Sequence, residues 1–298
     1  LAEHGIPVLG VAGNHDGRVL PRLSEEVPDF QLLGAGGQWQ SQTLTGGDGV
    51  AVRVHGWSFP QPTTRDGPLR GVRFERDTLP AIGLLHCDRD QPGSPYAPVT
   101  SRELADSGLD AWLLGHIHQP DTLTTAAPSG YLGSVTALRA SDTGPHGPWL
   151  YTFDTSGLAS VSHWPLAPLR WTELAVDVSG VPGADEARSR VIQAINGYAE
   201  DLPAPPLGPD VLGVRLHLHG RTGLTRAISQ ALAAEPLDDI PLGASQGFVG
   251  RWWLDTRPER DLATLAQRRD PVGLLAERLQ WLDAPADDPN RQALIQRG

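Results

Sequence analysis

Three short stretches of this 298-residue chain carry side chains that can hold a cation or move a proton. The first is Asn14-His15-Asp16, wedged between glycines in GVAGNHDG. The second is His86, which closes the apolar run AIGLLH. The third is His116-Ile117-His118, in DAWLLGHIHQP. Amide oxygen, imidazole and carboxylate together suit Mn²⁺, Fe²⁺ or Zn²⁺ better than Mg²⁺ or Ca²⁺. Taken singly, each stretch has a plainer reading: an Asx-bonded turn, a satisfied core histidine, a surface pair. Their common setting, an apolar strand just before each one, argues for a shared site.

That setting dictates the elements that must position them. IPVLGVA (6–12), AIGLLH (81–86) and DAWLLGHIH (110–118) read as buried strands opening into loops at their carboxyl ends. Ligands converge at that end of open α/β sheets. At a strand end, residues i and i+2 share a face, so His116 and His118 are expected to aim at one cavity. Gly115 is expected to allow a tight turn before them, and Pro120 to end the strand. His217 and His219 repeat the spacing in VRLHLHG. There they alternate with Val214, Leu216 and Leu218 on an ordinary half-exposed strand, and no glycine precedes them. They read as structural, like the lone His4, His55 and His163. Cys87 is expected to point away from His86.

Further along, QWQSQTL and GVAVRVHGWSF flank Gly-Gly-Asp-Gly as a hairpin. SRELADSG is a short helix with a serine start, and YLGSV, PWLYTFD and LASVSHW are strands. Beyond about Arg170 the character changes. WTELAVDV, VLGVRLHLHG and GFVGRWWLDT read as strands, DEARSRVIQAINGYAEDL and TGLTRAISQALAAE as helices, and PAPPLGP as a stiff break. The expected division is a core at 1–168, an α+β domain at 169–284, and a weakly anchored or truncated tail at 285–298.

Composition excludes several classes. Hydrophobic content of 39% with 20% charged residues fits a globular chain. No stretch approaches the roughly 18 uninterrupted apolar residues of a membrane span. One cysteine rules out a disulfide framework and, with no signal peptide at Leu1 onward, fits a cytoplasmic location. The net charge of −11 argues against a broad nucleic-acid footprint. Arg65, Arg70, Arg73 and Arg76 form a local basic cluster that reads equally well as solvated surface. There is no Lys and no Met.

GNHD, a strand ending in His, and then GHIH resemble the later motifs of the calcineurin-like metallophosphoesterases. HGWSFP, GSPYAPV, LDAWLLGHIHQP and GSVTALRASDTGPHGPWLY are similar to the SbcD-like DNA-repair exonuclease branch. The resemblance implies an α/β fold: a two-sheet sandwich core of the four-layer type, missing its first strands, followed by a small α+β capping domain. It implies a two-metal centre, with Mn²⁺ foremost and Fe²⁺ or Zn²⁺ as alternatives. Asn14, His86 and His116 would bind the second metal and His118 the first. His15 would be the catalytic histidine, with Asp16 orienting its ring. Arg139 and His146, on the loop after the strands, would face substrate or else simply sit at the surface.

The family's first two motifs, Asp-x-His and Gly-Asp-x-x-Asp, occur nowhere in the sequence. The expectation is an amino-terminally truncated chain holding half of the site and inactive by itself. By the same resemblance the substrate is DNA, the partner a coiled-coil ATPase subunit, a homodimer is open, and no membrane is involved. Two other readings stand beside it: an esterase for nucleotides or small phosphoesters, and an inactive binding or scaffold subunit.

Overall fold

The computed structural model describes residues 2–76, 78–259 and 261–296. Leu1 and the last two residues of the 285–298 tail therefore lie outside the described residues. The chain folds as two units. One runs to Thr172 and includes Leu202–Gly213 and Pro241–Gln246. The other comprises Glu173–Asp201, Val214–Ile240 and Gly247 onward.

In the first unit, β1 (Val8–Gly10) leads through the Asn14 loop to helix α1 (Leu20–Glu26) and then to β2 (Phe30–Leu32), parallel to β1. β3 (Gln40–Thr45) and β4 (Ala51–Trp57) form the expected antiparallel hairpin across Gly-Gly-Asp-Gly. β5 (Ala81–His86), helix α2 (Ser101–Asp106), β6 (Ala111–Gly115) and β7 (Gly130–Tyr131) follow. They complete a five-stranded sheet in the order β3-β4-β5-β6-β7, parallel from β4 onward. Only Gly130 and Tyr131 of the YLGSV region are strand. α2 is capped by Thr100 rather than by the serine, because the Thr100 hydroxyl and Glu103 satisfy each other's backbone amides as a capping box.

The sheet is buried on both sides, which is why its strands read as continuous apolar runs. Leu85, Trp112, Leu114 and Tyr131 pack with Trp57, Phe59, Leu69 and Leu104 on one face. Val54, Ile82 and Ala111 pack with Leu33 and with Tyr151 and Phe153 on the other. Those two aromatics come from the antiparallel pair β8 (Trp149–Asp154) and β9 (Gly157–His163). The result is a mixed α/β fold consistent with a sandwich core.

The second unit holds most of a four-stranded sheet made of β10 (Leu169–Asp177), β11 (Val211–Arg221), β12 (Ile240–Leu242) and β13 (Ser245–Arg257), in the order β10-β11-β13-β12. Helices α3 (Ala184–Glu200) and α4 (Thr225–Ala234) bury Val191, Ile195, Ile228 and Leu232, and Val214, Leu216 and Leu218 of β11 are fully buried. Helices α5 (Leu262–Ala266), α6 (Pro271–Asp283) and α7 (Pro289–Gln296) follow. α7 gives the 285–298 stretch a helix that its sequence does not announce. Among the described residues, no helix is long and apolar enough to cross a membrane.

Candidate metal centre

Backbone registry brings the sequence-distant residues together. β5 and β6 run parallel with His86 opposite Gly115, so the last residues of the two strands face each other and His116 follows directly. The Asn14 loop is fastened to the same edge through buried Ser58, just past β4. Its hydroxyl donates to the Leu33 carbonyl and accepts from the Ala12 amide, and the Phe59 amide donates to the Ala12 carbonyl. A polar side chain survives in this core because its hydrogen-bonding capacity is filled.

His86 is the hub. Its Nε2 lies 2.9 Å from Asn14 Oδ1 and 3.0 Å from His116 Nδ1. Phe59 meets the His86 ring edge-on at 5.6 Å. Gly13 is required by contact: a Cβ there would sit 2.5 Å from His86 Nδ1. Burial, reinforced by the neighbouring His116, lowers the His86 pKa to about 4, while Asp16 and Asp88 pull the other way. The imidazole is therefore neutral and a competent donor of an electron pair at neutral pH.

Asn14 Oδ1 and His116 Nδ1 thus both meet His86 Nε2. Two donors each about 2.1 Å from one ion, at right angles to each other, sit about 3.0 Å apart, and the observed spacings fit that requirement. One amide oxygen and two imidazole nitrogens suit a divalent transition metal. Among the described residues no group of three or more His, Cys, Asp or Glu is disposed to hold an ion. The candidate set here pairs two histidines with the side-chain amide of Asn14.

The structure departs from the sequence expectation in several places. β6 ends at Gly115, so His116-Ile117-His118 lies beyond the strand, and strand alternation does not orient the pair. The backbone strain falls on His116, at φ +106°, rather than on Gly115. Gly115 is needed instead for space, since a Cβ there would lie 3.2 Å from His86 Nδ1. His118 faces Asp142, with Nδ1 3.8 Å from Oδ2, and is more exposed than His116.

The Asp16 carboxylate accepts the Gly13 amide and its carbonyl accepts the amides of Val19 and Leu20. It therefore shapes the loop that carries Asn14 and His15. His15 is exposed, with an electrostatic influence on His86. Arg139 is exposed, its amide donating to Asp142. His146 is 1% exposed, with its ring nitrogens 3.0 Å from the Ser134 carbonyl and 3.2 Å from the Asp142 carbonyl. That placement suits a brace inside the 134–146 loop rather than a substrate contact.

Asp88, which the sequence reading passes over, lies 3.1 Å from His116 Nε2. Its only signal was its place two residues after His86, the same i, i+2 relation used for His116 and His118. Cys87, between them, is fully buried in the core, and burial pushes its thiol pKa up.

Residues 171–256 match the family described as metallophosphoesterase YhaO, middle domain. Over 252 residues the chain is 29% identical to a Bacillus subtilis (strain 168) protein described as "Uncharacterized metallophosphoesterase YhaO". The likeness is to metallophosphoesterases. It covers 84% of this chain, and the chain spans 57% of that relative's length.

Proposed function

We propose that the protein is a metal-dependent phosphodiesterase, and specifically a nuclease acting on DNA with a coiled-coil ATPase partner. The observation that carries the phosphodiesterase part is the convergence of Asn14 Oδ1, His86 Nε2 and His116 Nδ1 within 2.9–3.0 Å contacts. The similarity to YhaO supports the reaction class. The SbcD-like motifs of the core support the substrate and the ATPase, and with them DNA repair as the setting and the cytoplasm as the compartment.

A bound divalent ion offsets phosphate charge and lowers the pKa of water. The chain's own residues do the rest. Asn14, His86 and His116 would hold the ion, with Mn²⁺ the first choice. His118, on the same loop, would serve a second one. His15, exposed beside the cluster, would position the phosphate and protonate the leaving oxygen. Asp16 holds the Gly13–Asp16 turn that presents His15. The Asp-x-His and Gly-Asp-x-x-Asp carboxylates of a two-metal centre are not among these 298 residues.

The test is Mn²⁺-dependent hydrolysis of an activated phosphodiester and of DNA by the full-length protein and its His15→Ala variant. Loss of both activities in the variant supports the assignment, and full activity removes His15 from it. The net charge of −11 favours a second reading, a small-phosphoester hydrolase. Rapid turnover of the small ester with no cleavage of DNA would select it.

A further inference from the structure

We propose that Asp88 is a positioning residue that fixes the tautomer of His116, so that His116 presents the Nδ1 lone pair to the metal-binding cluster. The proposal rests on the metal-centre reading above. Asp88 Oδ1 lies 3.1 Å from His116 Nε2, on the side of the ring opposite the Nδ1 that meets His86. A carboxylate can only accept, so a hydrogen bond across this contact requires the hydrogen on Nε2. Nδ1 is then the acceptor side of the ring, and with no ion bound His86 Nε2 has one hydrogen facing two acceptors, His116 Nδ1 at 3.0 Å and Asn14 Oδ1 at 2.9 Å. A cation between the same atoms would take the place of that hydrogen, with His86 in its other neutral tautomer, the hydrogen on Nδ1. Carboxylate-backed imidazoles of this kind orient the ring and raise its basicity toward a metal.

The carboxylate is itself held. Ser94 Oγ donates to Asp88 Oδ2, and Ser94 Oγ in turn accepts from the Tyr96 amide. The Asp88 amide donates to the Tyr96 carbonyl at 2.9 Å, and the Val99 amide to the Asp88 carbonyl at 3.0 Å. Residues 88–99 thereby form a strap whose Tyr96 ring also rests on the His116 ring, 5.2 Å between centroids. The Asp88 side chain is 15% exposed. His116 sits at φ +106°, a conformation that persists only where surroundings over-determine it. Asp88 and Tyr96 supply such surroundings from one loop. The Asp142–His118 pair, at 3.8 Å, is beyond hydrogen-bond reach and imposes no comparable choice.

The experiment uses the full-length protein labelled with ¹⁵N-histidine, as wild type, Asp88→Ala, Asp88→Asn and Ser94→Ala. Long-range ¹H–¹⁵N correlation of the metal-free proteins reads the His116 tautomer, and equilibrium competition reads Mn²⁺ affinity. Expected is a pure Nε2–H tautomer in the wild type and a mixture in Asp88→Ala, with affinity lower by about 10–100-fold. Asp88→Asn, which keeps an acceptor oxygen, should recover part of both, and Ser94→Ala should lose less than Asp88→Ala. Should Asp88→Ala not fold, Ser94→Ala and Asp88→Asn carry the test through the same two readouts. A wild-type Nδ1–H tautomer, or unchanged tautomer and affinity in the folded variants, overturns the proposal. A wild type that holds the Nε2–H form but binds no Mn²⁺ overturns the metal reading instead and leaves the positioning role of Asp88 standing.

Discussion

Two His-x-His pairs with identical spacing sit in different structural contexts. His217 and His219 lie within β11, on the face opposite buried Val214, Leu216 and Leu218. His217 stacks on Trp253 of β13, with centroids 5.3 Å apart and planes at 14°. Arg215, beside them, reaches over the same indole and pairs with Glu173 of β10 at 3.0 Å. The His217 imidazole uses its flat face for cross-strand packing, and the His219 ring lies 5.7 Å from it on the same strand. His116 and His118 instead follow the carboxyl end of β6, where no neighbouring strand covers them. The ring nitrogens of His116 meet His86 and Asp88. Spacing alone therefore says little. What distinguishes the pairs is whether ring faces or ring nitrogens are used, and that follows from lying within a ladder or past its end.

The sharpest way to break this comparison is to remove one imidazole from each region. His86→Ala takes away the hub shared by Asn14 and His116. In the full-length protein, Mn²⁺ affinity should fall at least about 100-fold, the upper range for groups that merely support a ligand. His217→Ala should leave affinity within about twofold. Isothermal titration on both variants checks this. Equal losses would show that the two pairs are not functionally distinct.

Backbone crowding gives the next largest effect. Gly13→Ala would place a methyl 2.5 Å from His86 Nδ1, and Gly115→Ala one 3.2 Å from the same atom. The first must displace the ring, so Mn²⁺ affinity should drop about tenfold or more, with a stability loss of about 1–3 kcal/mol. The second needs only a few tenths of an ångström and should lose less on both counts. Thermal melts alongside metal titration separate the two costs. A reversed order would mean that His86 is held by something other than these close contacts.

On the other side, Trp253→Ala should destabilise the protein by about 1–2 kcal/mol through the lost stack with His217 and the lost contact with Arg215. Metal affinity should not change. Chemical denaturation followed by Mn²⁺ titration reads both. A large loss of affinity would join the two regions that this comparison separates.

Much of this arrangement was legible in the chain itself. β5 and β6 announce themselves as apolar runs because both sheet faces are covered, and Gly-Gly-Asp-Gly marks the β3–β4 hairpin. Asn14, His86 and His116 stand out as donor residues at or beyond strand ends, and registry alone then brings His86 to Gly115. What stayed hidden depends on loops folding back. Asp88 becomes the partner of His116 only because the strap at 88–99 is closed by backbone bonds between residues eight or more apart. The burial of His146 follows from the carbonyls of Ser134 and Asp142, which no periodicity reveals. The strain at His116 belongs to a backbone angle rather than to a residue type, so Gly115 looked like the natural place for it. α7 lacks a strong apolar stripe, and only the folded chain shows it as a helix.

The smallest expected effect bears on how independent the strap is of the helix that follows it. Thr100 directly follows Val99 and caps α2 through its hydroxyl, which accepts the Glu103 amide at 3.1 Å. Losing such a cap costs about 1 kcal/mol, so Thr100→Ala should lower stability by about that much in denaturant titration. The strap has its own anchors: buried Ala97 and Val99, the Asp88–Val99 and Asp88–Tyr96 backbone bonds, and Asp90 accepting from the Ser101 amide and hydroxyl. Those anchors do not pass through the Thr100 hydroxyl. Mn²⁺ affinity should therefore stay within about twofold of wild type while stability falls. A joint loss would mean that α2 and the strap order together, and that the rigidity of the His116 environment extends past the loop into the helix.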